Sequence, residues 1–319
     1  MPELIGYVLA IDAIITWSLA SLVYKAGLEK TNPKATLLFR LCCVSIGTLL
    51  FSLFFALNFW IFISSSGLNR SELTGYLIAC LISGLSVTIG DLTYFLALKK
   101  IDASRAFPIT QLSLVFVYPV AYFMFGEEIT ISILIGGFLI LSSVFFLSAK
   151  DKPEQDENIF NKEDKGEDSK EDVTIGIALS LISAFLWAIS IIAFHQARII
   201  SGDVFVTNFI RIIFATAIIA VVGIFQREYY LGFRKEEREN LRYYLFIGLA
   251  GSLSLGLADS LFYKAAEING LILTSAITAS TPVVQQVFSI AILKEKFRKK
   301  FIIALILIIL GNYIIIFYY

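Results

Sequence analysis

The chain has 319 residues, of which 57% are hydrophobic and 16% charged, against roughly 45–50% and about 25% in soluble proteins. In water that composition would leave wide apolar patches uncovered, which excludes an ordinary soluble globule and fits a protein embedded in lipid. The formal net charge of zero lacks the basic surface that nucleic acid demands.

A helix needs about 20 apolar residues to cross a bilayer. Ten segments satisfy this: 4–25, 35–57, 74–97, 104–125, 129–148, 174–196, 204–225, 243–264, 270–293 and 299–318. The first has no basic stretch before it and contains Asp12, so it reads as a retained helix rather than a cleaved signal. The second continues through Asn58, Phe59, Trp60, Ile61 and Phe62 toward Ser64, an aromatic stretch suited to the interface. Cys42, Cys43 and Cys80 all lie in apolar runs with no metal-ligand or disulfide spacing, and behave as small hydrophobes. Residues 150–173 are almost all charged or amide-bearing, so they should form a flexible linker. The linker divides the chain into 1–149 and 174–319.

The two parts repeat. Gly6 and Trp17 match Gly176 and Trp187 at a shift of 170, and Arg40 matches Arg211 at 171. Asp91, Ile109-Thr110 and Glu127 match Asp259, Ile277-Thr278 and Glu295 at 168. Five spans per half is an odd number, so the second half must enter the membrane from the opposite side. The expected fold is all-α and polytopic, with ten transmembrane helices as two inverted five-helix repeats, an arrangement common among secondary transporters.

Basic residues mark the cytoplasmic loops. The connections after the first, third, seventh and ninth segments hold sixteen, while the other side has only Arg70, Arg198 and Lys264. The linker is therefore expected in the cytoplasm and both termini outside.

Charges within spans are costly, about 2.5–3.5 kcal/mol at the centre on insertion scales, and usually face a partner or a wet cavity. Counting along the helices puts Arg40 and Asp91 about 7–10 Å inside the cytoplasmic boundary, and Arg211 and Asp259 at matching depth near the outer one. They read as two Arg–Asp pairs at opposite mouths, either latching alternating gates or fixed for helix packing. Asp12 lies near the middle of its helix, opposite Ile182 in the repeat. It could couple protons or capture an amine, or bond the Thr16 hydroxyl one turn on.

The fourth and ninth segments are the most polar. They carry Ser104, Pro108, Thr110, Gln111, Ser113 and Pro119, and Thr274, Ser275, Thr278, Ser280, Thr281, Pro282, Gln285 and Gln286. Proline frees a backbone carbonyl, and the polar cluster with its glutamines suggests a cavity wall; a single hydroxyl more often bonds its own helix. Trp17 and Trp187, too deep for an interfacial belt, are candidate opposed walls of a central site or plain packing. Tyr94 shares a helix face with Asp91. His195 reads as a boundary cap. Glu127 and Glu295 fall in turns before the fifth and tenth helices, where a carboxylate meets a helix dipole.

The pattern resembles the drug/metabolite transporter superfamily, specifically proteins with two EamA-type domains. The residues that carry the resemblance are Trp17-Ser18 and Trp187-Ala188, the run Tyr94–Ala106, and Gly126-Glu127-Glu128-Ile129-Thr130. In the second half they are Phe262–Gly270, Ser280-Thr281-Pro282-Val283-Val284 and Lys294-Glu295. The likeness spans nearly all of the chain except the linker. It departs at Leu114, where the family's proline matches Pro282 in the second half only, and at Lys294, which replaces a glycine. The resemblance implies a basket of ten helices around a central cavity and alternating access. It also implies export or exchange of amino acids, metabolites or drugs across a prokaryotic plasma membrane.

A substrate-carrying monomer or loose homodimer with no cofactor, metal or catalytic centre is expected, since no nucleotide loop, His/Cys cluster or Ser–His–Asp set is present. Protons are a candidate coupling ion. Two other substrate classes stay open: anions held by Arg40 and Arg211, as in organic-phosphate or nucleotide-sugar carriers, and lipid or lipid-linked molecules.

Overall fold

The computed structural model describes residues 3–58, 60, 70–148, 170–293 and 299–318. Most of the charged linker, most of the aromatic stretch after Asn58, and the turn carrying Lys294 and Glu295 lie outside the described residues.

The fold is all-helical among those residues. Eight helical runs are long and apolar enough to cross a membrane, and two shorter apolar helices, Ile131–Ser143 and Ile302–Tyr318, accompany them. Together they match the ten segments read from hydropathy. The first half contains α1 (Leu4–Leu28), α2 (Pro33–Phe55), α3 (Arg70–Lys100), α4 (Ala103–Thr110), α5 (Leu112–Phe125) and α6 (Ile131–Ser148). The second half opens with α7 (Lys170–Ser201) and α8 (Val204–Phe225). Two 3-10 turns, Arg227–Phe233 and Lys235–Asn240, lead into α9 (Leu241–Gly251). A π-helical stretch, Ser252–Ala258, joins α9 to α10 (Asp259–Asn269). The last helices are α11 (Leu271–Thr278), α12 (Thr281–Leu293) and α13 (Lys299–Tyr318).

Local chemistry sets the ends. Asn32 accepts from the Lys34 and Ala35 amides at 2.9 and 3.3 Å, with Pro33 opening α2; its repeat counterpart Asp203 accepts from Val206 at 2.8 Å to start α8. Both satisfy amides that a helix start leaves unpaired. The fourth segment breaks at Gln111 between α4 and α5, and the ninth breaks at Ala279-Ser280 between α11 and α12. The breaks coincide at the shift of 168, although the prolines beside them, Pro108 and Pro282, are not equivalent.

Helices pair across the repeat. Each half's first helix lies along the other half's third: α3 against α7, and α1 against α9, the π-stretch and α10. The second helices, α2 and α8, pack together, as do the fifth, α6 and α13. Gly84 permits one close approach, since a methyl there would fall 2.2 Å from the Arg211 carbonyl oxygen; small residues serve this purpose between membrane helices.

Contacts sort the helix ends onto two faces. On one, Lys25 Nζ donates to Leu98 O at 2.6 Å, Lys34 pairs with Glu228 at 3.1 Å and Lys100 with Asp172 at 2.5 Å. On the other, the Glu3 amide donates to Asn269 Oδ1 at 2.7 Å, and Ser132 Oγ donates to Tyr318 O at 2.7 Å. The sixth segment thus starts on the face where the first ends, and the halves run in opposite senses.

Candidate functional site

Four charges lie near the centre of the bundle. Arg40 Nη2 meets Asp91 Oδ2 at 2.5 Å, and Arg211 Nη2 meets Asp259 Oδ2 at 2.5 Å. Arg40 is 2% exposed and Arg211 is fully buried. Each carboxylate takes a second bond from a tryptophan of the opposite half. Trp187 Nε1 donates to Asp91 Oδ1 at 3.1 Å, and Trp17 Nε1 donates to Asp259 Oδ1 at 3.0 Å.

The aromatics follow the same rule. Three residues after each aspartate, Tyr94 packs on Trp187 and Phe262 on Trp17, both with centroids 5.5 Å apart. Four residues after, Phe95 lies 5.2 Å from the Arg40 guanidinium and Tyr263 lies 5.6 Å from that of Arg211. A second ring lies near each guanidinium, Tyr24 at 5.0 Å from that of Arg40 and Phe194 at 4.6 Å from that of Arg211. One helical turn thus supplies both an anion's neighbour on the tryptophan and a π face for the arginine, contacts worth about 0.5–2 kcal/mol each for the cation.

Except for Phe95 and Phe194, these groups line one cavity of ≈ 110 Å³ between the halves. At about 10–15 Å³ of such volume per water, it has room for several waters or the polar end of a small solute. Its formal charge from the two arginines and two aspartates is zero, and seven aromatic residues stand in the remaining wall.

The expected separation of the two pairs at opposite mouths is corrected: both line this one cavity. The third helices extend past the ends that hydropathy marks. Asp91 lies nine residues before the end of α3 and Asp259 ten before the end of α10, about 13–15 Å deep along the helix.

Of the residues singled out in the sequence, Trp17, Arg40, Asp91, Tyr94, Gln111, Trp187, Arg211 and Asp259 are brought together in the lining. Asp12, Thr16, Thr278, Gln285 and Gln286 are not among its walls. Asp12 is exposed on the outer side of α1, on the strip that also shows Ile5, Val8, Ile15 and Leu19. Its expected place in the site, and with it the geometric basis for proton coupling there, is corrected; α1 is apolar on all sides, so its sequence does not reveal which face turns inward. Thr278 Oγ1 bonds back to Thr274 O at 2.9 Å. Gln285 and Gln286 are buried away from the cavity, and Gln285 Oε1 has no hydrogen-bond partner among the described residues. The polar wall comes instead from Gln111 and Ser113 at the break of the fourth segment.

Several cavity residues were not among the expected site residues: Tyr24, Phe107, Ser190, Ser254, Phe262 and Tyr263. Phe262 was within reach, because it is Tyr94 shifted by 168. Glu127 serves differently from the expected dipole of its own fifth helix. Its two oxygens accept from the Leu271 and Ile272 amides, each at 2.7 Å, at the start of α11 in the other half. Gly270, with φ of +85°, turns the chain into that start. His195 packs on Phe125 with centroids 4.5 Å apart. The three cysteines are free thiols.

Residues 4–149 and 174–317 each match the model of the EamA-like transporter family. An "Uncharacterized transporter" of Archaeoglobus fulgidus is 24% identical over 242 residues, covering 75% of this chain and 76% of that protein. A solved structure, described only as the crystal structure of a protein, matches with a TM-score of 0.69 at 15% identity. It covers 97% of this chain and 95% of that one, a likeness of fold.

Proposed function

The chain belongs to the EamA-like transporter family, and from that premise we propose that it moves small neutral or zwitterionic solutes, amino acids or amphipathic aromatic compounds, across the membrane by alternating access. One observation carries this reading: the cavity between the halves has matched charges of both signs and aromatic walls. A zwitterion meets an acceptor and a donor there, and its apolar part meets π faces. A net anion meets arginines already neutralised by Asp91 and Asp259, which disfavours organic phosphates and nucleotide sugars. In this reading the two Arg–Asp pairs are latches. Each ties the second helix of a half to its third, and the tryptophans carry that state to the other half. Part of the lock must release for either side to open. Loop charge supports a cytoplasmic linker and outward termini; export or exchange across a plasma membrane, the use we propose, rests on the resemblance to the family.

A thermal-shift screen of purified protein tests the substrate class, since only a ligand that prefers the native state raises the melting point. The panel holds aromatic and aliphatic amino acids, neutral aromatic compounds, amines, organic phosphates and cationic dyes. Amino acids or neutral aromatics should raise the melting temperature, and saturable counterflow of the same compounds in proteoliposomes should follow. Stabilisation by organic phosphates alone would overturn the reading.

A further inference from the structure

The two arginines occupy equivalent places in the repeat but not equivalent surroundings. Arg211 has all three guanidinium nitrogens engaged. Nη2 holds Asp259, Nη1 donates to Ser83 Oγ at 3.3 Å and Ser190 Oγ at 3.4 Å, and Nε donates to Asn208 Oδ1 at 2.8 Å. Arg40 has its bond to Asp91, while its Nε has no partner among the described residues.

Asn208 makes the difference. It is fully buried, and because arginine only donates, the atom facing Nε must be the amide oxygen. The Asn208 NH2 therefore points the other way. It donates to Leu255 O at 3.0 Å, Gly256 O at 2.8 Å and Ser260 Oγ at 2.9 Å. Leu255 and Gly256 belong to the π-helical stretch Ser252–Ala258. A π-turn displaces the regular i→i+4 ladder and leaves carbonyls in need of other donors. One side chain thus spans the Arg211 guanidinium and the irregular backbone that leads directly into Asp259.

The first half has no such device. The counterpart of Asn208, at the same shift that relates Arg211 to Arg40, is Leu37, which can neither donate nor accept. The counterpart of Ser252–Ala258 is Gly84–Gly90, regular α-helix within α3. π-turns inside α-helices recur at functional sites, and here only one of two homologous helices carries one.

We propose that Asn208 is a positioning residue. It locks Arg211 to the π-turn, and so fixes Asp259 and Trp17, leaving the untied Arg40–Asp91 pair, with Trp187, as the lock that releases during transport. The last clause rests on the reading of the pairs as latches; the lock itself does not.

The two indole N–H groups report the two locks separately. In protein labelled with 15N-tryptophan and held in lipid nanodiscs, each indole gives one signal, assigned by Trp→Phe substitution. In the wild type, the Trp17 indole proton should exchange with solvent about tenfold or more slowly than that of Trp187, the effect of one charge-assisted bond. Asn208→Leu, which installs the first half's residue, should shift the Trp17 signal and erase that difference while leaving Trp187 unmoved. Asn208→Asp keeps an acceptor for Arg211 but loses the donors to Leu255 and Gly256, and should do the same if the leucine variant does not fold. General loosening of the fold would move both indoles alike. Equal exchange of the two indoles in the wild type, or a Trp17 signal unmoved by both variants, overturns the proposal. A protein that transports none of the screened solutes leaves this measurement intact, so the two readings fail separately.

Discussion

Trp17 donates its indole N–H to Asp259 at 3.0 Å, across 242 residues of sequence and from one half of the molecule to the other. Trp187 returns the bond to Asp91, so neither carboxylate has its full set of donors within its own repeat. Trp17→Phe and Trp187→Phe keep an aromatic ring but remove the donor, along with part of the ring system. Each should cost about 1.5–3 kcal/mol, the range for a hydrogen bond to a charged group, read as a lower melting temperature, and each should slow transport. The double variant should cost less than the sum, because the bonds share one network. Strict additivity would argue against coupling between the halves.

The Arg40–Asp91 pair is buried, and removing one partner strands the other charge. Arg40→Ala should destabilise by about 3–5 kcal/mol. Arg40→Leu combined with Asp91→Leu removes both charges and should cost less than Arg40→Ala. If the pair is a latch, transport fails in both variants whatever their stability. Normal transport by correctly inserted Arg40→Ala protein would sink the gating role.

Asp12 faces away from the cavity. Asp12→Asn should therefore leave transport unchanged and the stability, read from thermal melts, within about 0.5 kcal/mol of wild type or higher. A pronounced loss of transport, measured in proteoliposomes with and without a proton gradient, would restore Asp12 to the mechanism.

Glu127 satisfies two amides at the start of α11. Glu127→Ala should cost about 0.5–2 kcal/mol, the usual range for a lost cap. Glu127→Gln keeps one acceptor and should cost less. Thermal melts of the two variants decide the order; equal losses would mean that the cap is not what the glutamate contributes.

Much of this architecture is written locally. Hydropathy marks ten helices because each must satisfy its backbone alone in lipid. A near-constant shift along the chain reveals the repeat, and with it the pairing of Arg40 with Asp91 and Arg211 with Asp259. What the local pattern leaves open is rotation about each helix axis and the choice of neighbour. A helix apolar on every side, such as α1, can turn Asp12 inward or outward with the same sequence periodicity; packing against α10 and the π-stretch decided it. The Trp17–Asp259 and Trp187–Asp91 bonds, the Glu127 cap on α11 and the Asn208 tie to Leu255 and Gly256 all join residues far apart in the chain. Asn208 has no echo in the first half, so the repeat itself hides it. The sequence by itself determined the spans, their inversion and the charges. The tertiary structure alone decided that these charges share one cavity, and that the two halves hold theirs unequally.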